Sequence, residues 1–149
     1  MKPRRLIAVS VVAILFLGLA SCRTPWFRGD GPEGRVVQMT VTAYCPCGSC
    51  CGWKRDWLGR AIYSYGEHKG ERKRVGVTAD GSNARHGMIA ADTRCYPFGT
   101  RLYVPGYGYG VVRDRGGDIQ GPRRLDLFFP RHRQALAWGR QTVDVVVVD

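Results

Sequence analysis

In "VVRDRGGDIQGPRRLDLFF", residues 111–129, Asp114 closes a valine-rich run and Asp126 sits between two leucines, with a glycine turn between them. Carboxyl groups on strands can carry general acid–base chemistry where burial or a neighbouring charge tunes them. Alternation puts Leu125, Leu127 and Phe129 on one strand face, with Asp126 on the other beside Arg124 and Phe128. On pattern alone, a solvent-facing carboxylate on an amphipathic strand, or an ion pair with Arg124, is the favoured reading. Asp114 before Gly116 and Gly117, and Asp92 in "IAAD", equally suit turn aspartates that accept backbone hydrogen bonds.

A second concentration of chemistry lies in "CPCGSCC", which holds Cys45, Cys47, Cys50 and Cys51, with Cys95 farther on. Four thiols can hold a tetrahedral metal. Adjacent Cys50 and Cys51 cannot both reach one ion without strain, however, and the spacing matches no common finger or ribbon. Outside the cytoplasm disulfides are the favoured reading, with a metal as the alternative, and five cysteines leave one thiol over. His68, His86 and His132 show no metal-ligand spacing and receive no role.

The elements that must position these groups are short strands. "VVQMTVTAY" interleaves β-branched and polar residues, and "VGVTADG", "GMIAAD", "TRLYVPG", "YGVVRD", "RRLDLFF" and "QTVDVVVVD" follow. Each is bounded by turn residues, as in "DGSN", "YPFGT", "PGYGYG" and "RGGD". Only "RHRQALAWGR", 131–140, has a helical pattern. Many short strands with little helix imply an all-β closed or nearly closed small barrel. Residues 53–74 do not alternate and are heavily charged, so they are expected to form an inserted, partly mobile loop. Its Trp53, Trp57, Tyr63 and Tyr65 could stack on sugar rings, although packing the loop down is the favoured role.

The N-terminus opens with Lys2, Arg4 and Arg5 ahead of an apolar run to Ala20, which is short for a bilayer span and has the form of a signal peptide. It ends in "LASC", which resembles the lipobox of bacterial lipoproteins. That resemblance implies cleavage of residues 1–21 and lipidation of Cys22. Arg23 after the cysteine points to the outer membrane, and residues 22–35, rich in Gly, Pro and charge, form the tether. Residues 36–149 are long enough for one domain with a real core. The formal charge of +11 over 149 residues suits an anionic envelope, and export argues against nucleic acid as the partner.

The series "TAY…GVTADG…GMIAAD…YPFGTRLYVPGYG…VVRDRGGDIQG…RRLDLFF…ALAWGR…VDVVVV" resembles the 3D domain, a family named for three aspartates. The resemblance runs from about Val41 to Val148. It implies a six-stranded double-psi β-barrel with one short helix, akin to the catalytic domain of membrane-bound lytic transglycosylase A. The three aspartates fall on Asp92, Asp114 and Asp126.

By the same resemblance Asp126 is the acid that cleaves peptidoglycan glycan strands. Asp114 and Asp92 supply neighbouring charge and orient the acid or the substrate. Gly116, Gly117 and Thr78 meet the saccharide, and neither cofactor nor metal is implied. A lytic transglycosylase lets the sugar's own 6-hydroxyl attack the anomeric carbon, so one carboxyl can first donate and then accept the proton. Most glycosidases need two.

The sequence departs from the family where "DTGGAI" becomes "DRGGDI", adding Arg115 and Asp118, and where "TASG" becomes "TADG", adding Asp80. The interval from Asp114 to Asp126 also gains about one residue near Pro122–Arg124. Arg115 would oppose the rise in acid pKa that the mechanism wants. The transglycosylase has a second large domain that forms the other wall of its groove. Here the 53–74 segment is the expected substitute. A non-catalytic glycan-binding module is the alternative function.

Overall fold

Alternating β-branched residues and glycine-rich turns produce the strands that pattern leads one to expect, and the strands close on themselves. The computed structural model describes residues 32–148. The leader, Cys22 and most of the tether lie outside the described residues. In chain order the elements are β1 (Arg35–Tyr44), α1 (Gly48–Cys51), β2 (Trp53–Arg55), β3 (Ala61–Tyr63), β4 (Met88–Ala91), β5 (Arg101–Val104), β6 (Gly108–Asp114), β7 (Arg124–Phe128), α2 (His132–Trp138) and β8 (Gln141–Val148).

Six strands form a closed barrel in the order β1-β7-β4-β6-β5-β8, and β2 and β3 form a separate two-stranded sheet. The β1–β7 and β4–β6 pairs are parallel and the other barrel pairs antiparallel. This mixture is compatible with the double-psi crossing. Closure leaves no free sheet edge. The barrel interior is apolar: Met39, Val41, Ile89, Leu102, Val104, Val112, Leu125, Leu127 and Val145 are buried together. Each comes from the inward-facing register of its strand. Gly110 belongs to this packing, because a Cβ there would lie 2.5 Å from Cδ1 of Ile89.

Helix α2 matches the expected single short helix. Its Ala135 is buried, and Trp138 packs against the core while donating Nε1–H to the Val41 carbonyl at 3.3 Å. The one-turn α1 is an addition, set within the cysteine cluster.

Two local expectations are corrected. "VGVTADG" is not a strand but a pair of turns held by the isolated bridge Val77↔Asn83. Asp80 explains why, since its carboxylate accepts from the Thr78 hydroxyl at 2.8 Å, the Ser82 N–H at 3.0 Å and Arg113 at 3.1 Å. A side chain that bonds its own backbone neighbours offers the chain an alternative to a ladder.

Residues 53–74 likewise hold a paired hairpin, β2–β3, where a loop was expected. Asp56 closes the β2–β3 turn by accepting from the N–H groups of Leu58 and Arg60 and from Nε of Arg60. The return segment pairs with β3 through Tyr63 N–H to Glu71 O, Gly70 N–H to Tyr63 O and Lys73 N–H to Ala61 O. Heavy charge hid a hairpin because both faces of a two-stranded ribbon can stay wet.

Candidate active site

A row of residues runs across four neighbouring barrel strands. On β1–β7 Thr42 is in register with Asp126, and on β7–β4 Asp126 is in register with Ala90. On β4–β6 Ala90 is in register with Asp114, after a shift between Ile89 and Ala90. That shift decides where the second carboxylate goes. Val112 is fully buried in the barrel, and strict alternation would turn Asp114, two residues on, to the same side. The bulge inserts the extra residue and leaves Asp114 on the outer face with Asp126. The small Ala90 between them keeps the space above open. Two strand spacings separate the Asp114 and Asp126 backbones, roughly 9–10 Å.

This outer face floors a cleft of about 1000 Å³. The opposite wall comes from the segment between β1 and β4: Pro46, Cys50, Cys51, Tyr63, Tyr65 and residues 72–79. The inserted segment therefore does build a second wall, with residues 75–79 and the cysteine turn alongside it. Of the four aromatics singled out there, Tyr63 and Tyr65 line the cleft. Trp53 instead bonds the Pro46 carbonyl at 2.9 Å and pins the turn, and Trp57 is 88% exposed.

Asp126 is half-buried and accepts from the Thr42 hydroxyl at 2.8 Å on Oδ1. Among the described residues no buried side-chain oxygen lacks a partner, and none donates to Oδ2 of Asp126. That oxygen is therefore open to the cleft. Burial first, and then the charge of Asp114, push the Asp126 carboxyl up to about 6, against the opposing pull of the Thr42 hydrogen bond and Arg124. Arg115, expected to oppose this rise, is not among the groups that act on it.

Asp114 is held more tightly. The Tyr44 hydroxyl donates to Oδ2 at 2.7 Å, and the N–H groups of Ala79 and Arg115 donate to Oδ1 at 3.0 and 2.9 Å. Three donors fix its orientation. Burial and the Asp114 charge in turn hold the Tyr44 hydroxyl protonated far above the ordinary range, so it acts as a fixed donor. The two acids thus sit in different environments, one short of donors and one rich in them.

Asp92 does not join them, and its expected place beside Asp126 is corrected. It is buried and does not line the cleft. Its carboxylate accepts from Nε, Nη2 and the backbone N–H of Arg94 and from the Gly121 N–H at 2.8 Å. These bonds hold it well below the usual carboxylate range. Together with the Tyr96 hydroxyl, which donates to the Pro122 carbonyl at 2.8 Å, Asp92 anchors the far end of the loop that leaves β6. That loop carries Arg115, Gly116, Gly117 and Asp118 along the cleft.

The third aspartate is a loop anchor. Asp92→Asn is expected to lower the thermal midpoint, with a loss that shrinks as pH falls toward acid. A carboxylate depressed in the folded state stabilises above its unfolded pKa and loses that contribution below it. Melting curves across pH check this.

Gly116, Gly117 and Thr78 line the cleft. Thr78 is buried, and its hydroxyl is engaged by Asp80 and the Ser82 carbonyl, so it shapes the wall rather than offering a free donor. Sequence reasoning gave no role to Thr42, to Tyr44 or to the basic run Arg72–Lys73–Arg74. The alternation of "TVTAY" puts Thr42 and Tyr44 on one face, and that was the available signal.

Comparison with known proteins follows this division of the chain. The family model of the 3D domain matches residues 87–149. The chain is 28% identical over 127 residues to the putative cell wall shaping protein YabE of Bacillus subtilis (strain 168), spanning 82% of this chain and 25% of that protein. It is 40% identical over 78 residues to the cell wall-binding protein YocH of the same organism, spanning 50% and 27%. The chain therefore spans about a quarter of the length of these curated relatives. The crystal structure of MltA from E. coli superposes with a TM-score of 0.42 at 21% identity, over 52% of this chain and 29% of that one. Residues 87–149, which supply β4 to β8 and with them Asp92, Asp114 and Asp126, are the part of the chain that matches the 3D domain.

Proposed function

We propose that this chain is a cell-envelope protein that cuts the glycan strands of peptidoglycan without water, with Asp126 as the acid and base. The observation that carries the reading is Asp126 itself, a half-buried carboxyl with one open oxygen on the floor of a cleft, raised to about 6. A group with that pKa holds its proton in mildly acidic surroundings and can still release it. The proton passes from Asp126 to the glycosidic oxygen as the bond to the anomeric carbon breaks. The 6-hydroxyl of the same muramoyl residue then attacks that carbon and returns its proton to Asp126, giving a 1,6-anhydro end. Asp114, held in place by Tyr44 and two backbone N–H groups, stabilises the positive charge that develops on the sugar ring.

The names of the relatives, one cell wall-shaping and one cell wall-binding, support peptidoglycan as the ligand. The lipobox-like "LASC" supports a lipid anchor at Cys22 and the outer membrane as the location. The test is incubation of purified protein with peptidoglycan sacculi and mass spectrometry of the released products, with anhydro-muropeptides expected. If the protein pellets with sacculi and releases nothing, the site is a non-catalytic binding module. That second reading is favoured by the basic rim of Arg72, Lys73, Arg74, Arg115, Arg124 and Arg140, which suits the carboxylates of stem peptides.

Asp114→Asn is expected to retain sacculus binding but to shift the alkaline limb of the kcat/KM profile to lower pH. Removing the Asp114 charge relaxes Asp126 toward the usual carboxylate range. An unmoved limb would mean that Asp114 does not act on the acid.

A further inference from the structure

At the edge of the cleft, where Cys50 joins its lining, three thiols and an imidazole converge. Sγ of Cys45, Cys47 and Cys50 lie 3.6, 3.5 and 3.4 Å from Nδ1 of His132, and Sγ of Cys45 lies 3.7 Å from Sγ of Cys50. All four ligand atoms fall within 4.8 Å of one another. The sulfurs are too far apart to be bonded, and all five described cysteines are free. A tetrahedral ion with bonds of about 2.3 Å to sulfur and about 2.0–2.1 Å to nitrogen separates its ligands by roughly 3.8 Å (S–S) and 3.6 Å (S–N). The observed separations are the edges of that tetrahedron.

We propose that Cys45, Cys47, Cys50 and His132 bind a single Zn²⁺ ion in a closed, structural Cys₃His site. Three thiolates and one neutral imidazole suit zinc, and four protein ligands leave no open position for substrate. Binding releases the three thiol protons, and no electrons are exchanged. The adjacency of Cys50 and Cys51 is no obstacle, because α1 turns Cys51 aside and its thiol donates to the Cys45 carbonyl at 3.1 Å.

The position of the site explains what the ion does. Strands β1 and β7 run parallel and end side by side, with Tyr44 in register with Phe128 and Phe129 N–H donating to Tyr44 O at 2.8 Å. Cys45 is the first residue after β1, and His132 opens α2 just after β7. One ion therefore joins the exits of the strands that carry Thr42, Tyr44 and Asp126. It also joins them to the turn whose Pro46, Cys50 and Cys51 line the cleft wall. Bound thiolates are also withheld from oxidation in an oxidising compartment.

The test uses the full chain, purified under reducing conditions, with zinc by elemental analysis and Co²⁺ as the spectroscopic probe. One zinc per chain is expected, and Co²⁺ should give the visible bands of a tetrahedral site with thiolate charge transfer. Cys47→Ser and His132→Ala should weaken Zn²⁺ binding by at least the ~10–100-fold that loss of an outer-shell partner alone costs. Cys51→Ser and Cys95→Ser should leave zinc content unchanged, and His132→Cys, which keeps four donors, should retain it. If a ligand variant does not fold, the wild-type cobalt spectrum and alkylation mapping decide. Cys45, Cys47 and Cys50 should resist alkylation until a chelator is added, whereas exposed Cys95 reacts at once. Metal-free protein, a cobalt spectrum without thiolate charge transfer, a disulfide among Cys45, Cys47 and Cys50, or equal zinc loss in Cys51→Ser would each overturn the site.

Discussion

Asp126→Asn is expected to lower the release of anhydro-muropeptides from sacculi by about 10²–10⁴-fold, the usual contribution of a positioned acid–base group. The substitution is nearly isosteric. The amide oxygen can still accept from Thr42, and the neighbouring Ala90 and Asp114 are untouched. What disappears is the titratable proton on the oxygen open to the cleft. Sacculus binding should therefore survive while product formation does not. Substantial turnover in Asp126→Asn would remove Asp126 from the chemistry. In wild type, kcat/KM should fall as pH rises through about 6, because the proton that leaves Asp126 there is the one the leaving oxygen needs.

The same substitution is expected to stabilise the fold at neutral pH. In the folded chain Asp126 titrates at about 6, against about 3.9 for an aspartate in an unfolded chain. At about pH 4 and below the proton stays on in the folded state, and wild type and variant should differ little. As pH rises through the window between those values, the unfolded chain ionises freely while the folded one resists, so wild type loses stability. Above about pH 6 the variant should be ahead by roughly 2 kcal/mol, close to two pKa steps at 1.36 kcal/mol each less some relaxation. Urea denaturation at about pH 4 and about pH 7.5 separates the outcomes. An equal difference at both pH values would mean that the carboxyl is not strained by its burial.

The barrel was legible because its signals are local. Alternation marks β1, β4 to β8 and their inward faces, and Gly and Pro mark the breaks. The placing of Asp126 on the outer face was legible for the same reason. Three other features depend on distant pairing. Alternation alone puts Asp114 on the same side as the core residue Val112 and gives no sign of the bulge. Asp92 follows a buried strand and precedes Arg94, a pattern equally suited to a site or an anchor. Only the Gly121 N–H, 29 residues away, reveals the anchor. His132 stands 82 residues from Cys50, and the two meet only because β1 and β7 end side by side. No spacing rule within "CPCGSCC" could have included it.

The offset between Ile89 and Ala90 also bears on how sequences of this kind are compared. Lay the end of β6 straight, without that offset, and the same letters would keep all the signature aspartates, in order, while swinging the middle one into the hydrophobic interior. The motif would read as intact although the two acids no longer shared a face. The letters alone thus do not tell whether two acids share a face; the path of the backbone between them does.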